Sequence, residues 1–161
     1  MADLYDDRPA GDGLVNLAYA GTGAVVGTSI AAAALPDTFG VVHAALSGVL
    51  FVIGTGALLW AYALGVSRSR AVVVTLPGLF FLGAGAAPPD ISRRFRIALA
   101  AEVVAVVAAA SIRPYSIVAF GILAPMFGLG LMGVWGGRYG AFPARPAERA
   151  DVEADVADED G

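Results

Sequence analysis

Two residues in this chain could do chemistry inside a membrane: Glu102 and the single histidine, His43. Glu102 lies six residues or so into an apolar run, on the order of 9 Å along a helix. A carboxylate at that depth costs several kcal/mol unless it is paired, protonated or hydrated. At matching depth the two preceding runs offer Asn16, Tyr19 and the Trp60 indole, and flanking arginines can reach back. Hydrogen-bonded glue between helices, or a carboxylate snorkelling to the cytoplasmic face, is the leading reading. A proton or cation site is the alternative, because intramembrane ionisable groups are functional candidates by default. His43 stands at the outer end of the second run, beside Asp37. It reads as a solvated or hydrogen-bonded group, since one His and one Asp are too few ligands for a metal site. Arg113-Pro114-Tyr115 reads as a turn with an interface anchor, and Pro125 as a structural kink.

Other chemistries find no residues. Cysteine is absent, which excludes disulfides, thiolate nucleophiles and Cys-ligated metals. No glycine pattern follows a strand and opens a helix, as nucleotide binding requires. No acid–base set converges from neighbouring runs. The expectation is therefore no catalytic residue, no cofactor, no metal and no enzyme.

The elements that must position Glu102 and His43 are apolar helices. The 161 residues are 58% hydrophobic and 15% charged, with mean hydropathy +0.74. A bilayer core needs about 20 apolar residues per helix. The fold class expected is all-α, an integral membrane four-helix bundle. Its spans cover about 14–35, 41–65, 95–112 and 115–135, within a transmembrane domain of 14–140. Pro36–Gly40 reads as a short link, and Asp90 or Ser92 as a helix cap. An apolar segment at 71–87, broken by Pro77-Gly78, Gly83 and Gly85, is short for a span. It reads as interfacial or re-entrant. An acidic tail, 1–13, precedes the domain; its lack of a basic start argues against a secretory signal. A disordered acidic tail, 141–161, follows, with six acids and no base from Asp151 to Asp160.

Arginine placement sets the topology. All ten bases are arginine. With four spans and a cytoplasmic N-terminus, nine lie inside (Arg8, Arg68, Arg70, Arg93, Arg94, Arg96, Arg138, Arg145, Arg149) and Arg113 alone lies outside. Five spans split them six to four at best, so the positive-inside bias favours four. Both termini are then cytoplasmic, in the cell membrane. Arg68, Arg70, Arg93, Arg94 and Arg96 form a basic surface suited to lipid headgroups rather than nucleic acid.

Small residues recur about one turn apart: Gly23, Gly27 and Ala31 in span one, Ser47, Gly48, Gly54 and Gly56 in span two, and Gly121, Ala124, Gly128, Gly130 and Gly133 in span four. They let helix backbones approach closely where lipid removes the hydrophobic force. Tight packing within one chain is the leading reading; a face for another subunit is the sharper one.

The runs Ser67-Arg68-Ser69-Arg70, Leu76-Pro77-Gly78-Leu79-Phe80-Phe81-Leu82, Arg113-Pro114-Tyr115, Phe120–Gly130 and Trp135-Gly136-Gly137-Arg138-Tyr139-Gly140-Ala141-Phe142-Pro143 carry a resemblance. In texture, over about the second half, the chain resembles small uncharacterised multi-pass membrane proteins of actinobacteria; the acidic tail also suits a haloarchaeal relative. That resemblance implies no activity. The reading is a non-enzymatic assembly partner or scaffold, as a homo-oligomer or within a larger membrane complex. The alternative is a small oligomeric transporter or channel using Glu102.

Overall fold

The computed structural model describes residues 11–83 and 85–144. The N-terminal residues to 10 and the tail from 145, with Arg8, Arg145 and Arg149, lie outside the described residues. The described residues form an all-α bundle of five α-helices: α1 Asp12–Ala34, α2 Pro36–Arg68, α3 Leu76–Phe81, α4 Pro89–Ile112 and α5 Met126–Tyr139. A 3-10 helix, Ile117–Leu123, leads into α5. Among the described residues four helical stretches are long and apolar enough to cross a membrane: α1, α2, α4 and Ile117–Tyr139. This is a membrane protein.

Prolines set the helix boundaries, and not always where the sequence pattern puts them. The expected link Pro36–Gly40 does not exist. Leu35 alone separates α1 from α2, and Pro36 opens α2. Proline lacks an N–H and its φ is preset, so the first helical turn accepts it; the residue before it is pushed out of helical geometry. Leu35 accordingly adopts φ −129° and ψ 68°. Likewise α4 starts at Pro89, well before the expected 95, and draws Asp90 and the arginines into its first turns. Neither Asp90 nor Ser92 caps it. Pro125 does not kink a continuous span. It stands at the break between the 3-10 helix and α5.

Segment 71–87 is not a crossing helix. Its one helix, α3, has six residues, about 9 Å at the usual rise. The Thr75 hydroxyl caps it by accepting from Gly78 N–H at 3.2 Å. Leu79 is buried against α5 while Leu76 and Phe81 remain exposed. Residues 141–144, expected to begin the disordered tail, are tied beneath this segment. Ala141 N–H donates to Ala86 C=O at 2.9 Å and Val73 N–H to Pro143 C=O at 2.8 Å.

The centre of the bundle is α5, which touches all four other helices. Phe127, Leu131, Met132 and Trp135 supply its buried bulk, meeting Val15, Val25, Leu50, Phe95 and Val106. Its glycines admit neighbouring backbone. A Cβ on Gly130 would strike the Gly54 carbonyl, and one on Gly136 the Leu79 carbonyl.

Candidate functional site

Buried α4 residues recur at helical spacing: Ile91, Phe95, Ala98, Glu102, Val106 and Ala109. Glu102 thus occupies the centre of an otherwise apolar stripe. It is fully buried, and neither carboxylate oxygen has a hydrogen-bond partner. Its Oε2 lies 3.0 Å from where a Gly128 Cβ would stand, and Leu99 Cδ1 lies 3.3 Å from that same point. The carboxyl therefore fills a niche that exists because residue 128 is glycine.

The partners expected from sequence are not there. Asn16 and Tyr19 are exposed on the outer side of α1, and Trp60 is exposed on α2. Depth along a helix matches in each case, but the helix face does not. The α1 residue that does approach this level is Thr22, whose hydroxyl donates to Ala98 C=O at 3.4 Å. The arginines are engaged elsewhere too. Arg94 pairs with Asp12 at 3.1 Å, and Arg96 bonds Ser92 within its own helix. Arg68, expected at lipid headgroups, instead closes the end of α5. It donates to Gly137 C=O at 3.0 Å and Gly140 C=O at 2.8 Å and lies over the Phe142 ring. Those carbonyls carry the negative end of the helix dipole. Arg70 and Arg93 are exposed.

His43 is a second buried polar group, not a solvated one. Its Nδ1 lies 3.1 Å from the Thr28 hydroxyl. That hydroxyl has one hydrogen, and its shortest acceptor is Ala24 C=O at 2.8 Å. The Thr28 hydroxyl and the imidazole thus share one hydrogen bond at Nδ1. Nε2 has no partner and points at Gly121, where a Cβ would collide with it. The sequence pattern does not point to Thr28, and it offers Gly121 as a helix-packing position rather than as the neighbour of His43. A usable signal was the spacing of Gly40, His43 and Ser47, which share the buried face of α2.

Glu102 and His43 do not form one site. Val25, Val106 and Ala124, all buried, separate the Thr22–Glu102–Gly128 level from the Thr28–His43–Gly121 level. Among the described residues no three His, Cys, Asp or Glu side chains cluster for a metal.

The small-residue positions divide. Gly128 packs inside, against Glu102 and Leu99. Gly23 and Gly27 are exposed and have nothing within reach of a Cβ. Intrachain packing, the leading expectation, therefore fails for span one. No family model, curated protein or solved structure matches the chain.

Proposed function

We propose that the chain is a non-enzymatic assembly partner of the cell membrane, joined to a second copy of itself through the outward face of α1. One observation carries this reading. Gly13, Asn16, Ala20, Gly23, Ala24, Gly27 and Ala34 are all exposed on that face, with Leu17 and Ile30 at its borders. By contrast α2 turns Val41, Val49, Val52, Ile53, Leu59 and Trp60 outward. Large side chains suit lipid; a strip of small ones forfeits that contact and suits a helix. Small-to-small packing is self-complementary, and two-fold pairing is the commonest closed assembly. Arginine bias supports cytoplasmic termini.

Gly23→Cys in this cysteine-free chain tests the pairing: oxidation in native membranes should give a disulfide dimer. Gly27→Leu should leave a folded monomer in mild detergent. A wild-type chain that stays monomeric at all concentrations, or purifies only with a larger protein on α1, would sink the self-pairing. For topology, Thr38→Cys should be labelled from outside intact cells and Ser67→Cys protected; the reverse pattern inverts it.

The buried, unpartnered Glu102 carboxyl favours a second reading, a small transporter. Its test is a folded Glu102→Gln protein that fails to complement a deletion.

A further inference from the structure

On the outer side of Leu99 a groove of about 370 Å³ opens on the bundle surface. Phe51, Phe81, Val103, Met126 and Leu129 line it together with Leu99. Leu99 is thus shared. One side of it borders the groove, and its Cδ1 converges with Glu102 Oε2 over Gly128. This half-buried leucine is the side chain common to the groove and the carboxyl niche, so a ligand reaching from one to the other requires it to change rotamer.

We propose that Glu102 and this groove form a binding site for a lipophilic amine, entered from the lipid side. It rests on the second reading above, in which Glu102 is a working group. The groove wall is apolar and aromatic, which fits a hydrocarbon body. Behind Leu99 stands an acid with both oxygens free of partners. Charge economy selects an amine over a preformed cation. A lone carboxylate here costs several kcal/mol, and so does a cation crossing hydrocarbon. A neutral amine meeting a neutral carboxylic acid avoids both. The Glu102 O–H bond breaks, an N–H bond forms, and the product is a contact pair of ammonium and carboxylate with no net charge. The charge-assisted hydrogen bond then satisfies oxygens that the protein leaves bare. An alcohol of the same shape cannot form this pair, and a quaternary ammonium cannot take the proton.

The protein in lipid nanodiscs should therefore distinguish adamantylamine, adamantyltrimethylammonium and adamantanol in equilibrium dialysis against empty nanodiscs. Adamantylamine is expected to bind about tenfold or more tightly than the other two, and to lose that margin in Glu102→Gln. Leu129→Trp keeps the acid but fills the groove, and should lose adamantylamine as well. Equal binding of amine and quaternary ammonium overturns the proton hand-over. Equal binding of amine to wild type and Glu102→Gln, or to wild type and Leu129→Trp, overturns the site. If the wild type binds none of the three, the ligand class is wrong, whereas a complementation defect in Glu102→Gln would still support transport.

Discussion

Two helices rich in glycine use it in opposite ways. In α5 every glycine meets protein: Gly128 faces Glu102, Gly130 the Gly54 carbonyl, Gly133 Ala61 and Phe80, Gly136 the Leu79 carbonyl and Gly137 Leu64. In α1, Gly13, Gly23 and Gly27 meet nothing; Gly21 alone is filled, by the Phe127 ring. The spacing that looks the same in sequence closes a core in one helix and leaves a bare strip in the other. Small residues one turn apart report that something can come close, not that it belongs to the same chain.

A glycine-to-alanine series puts that contrast to measurement, as thermal stability of the monomeric fold in detergent. Gly130→Ala has the largest expected effect. Its methyl meets a carbonyl of another helix, which cannot rotate away, so a loss of about 3 kcal/mol or more is expected. Gly121→Ala comes next. Its methyl takes the place of His43 Nε2, and the imidazole must move and break its bond to Thr28, at a cost of about 1–3 kcal/mol. The double variant with His43→Ala should recover part of that loss; a fully additive loss would disconnect the two. Gly128→Ala should cost less than Gly121→Ala, because its neighbours at 3.0 and 3.3 Å are the ends of the flexible Glu102 and Leu99 side chains. Gly27→Ala should leave the fold unchanged or raise its stability by about 0.5–1 kcal/mol, the helix preference of alanine over glycine. A marked loss there would mean that the Gly23–Gly27 face of α1 packs inside its own bundle after all, and the contrast would collapse.

The smallest effect is expected at Glu102. Glu102→Leu, scored on the same scale, should cost little or stabilise, since no hydrogen bond is broken and an apolar side chain of similar size suits the stripe of Ile91, Phe95, Ala98 and Val106. A loss as large as that of Gly121→Ala would show that Glu102 holds α4 to α5.

The sequence was most informative where composition decides and least where facing decides. Four crossings follow from apolar length, and the brevity of 71–87 from its prolines and glycines. The depth of Glu102 follows from counting residues. Its surroundings do not, because α1 is apolar on every side and gives no periodic sign of which side turns inward. Height alone therefore matches Asn16 and Tyr19 to Glu102, whereas both are exposed and the α1 residue that reaches α4 is Thr22. For His43 a hydrogen bond is among the expected alternatives and is present, but its full burial is not legible, because the single-residue turn at Leu35 starts α2 about two turns before it. Arg68 was read as surface charge because its acceptors lie 69 and 72 residues later, beyond any local pattern.

That last distance has a consequence for how the molecule is made. When α2 enters the bilayer, the carbonyls that Arg68 will hold have not yet been synthesised. The guanidinium must wait, facing water or headgroups, while α3, α4 and the 3-10 helix follow. Only when Gly137 and Gly140 emerge can α2 and α5 be fastened at this end. Closure is thus a late, post-insertion event, and a chain released before Gly137 would hold α1 to α4 but lack both acceptors.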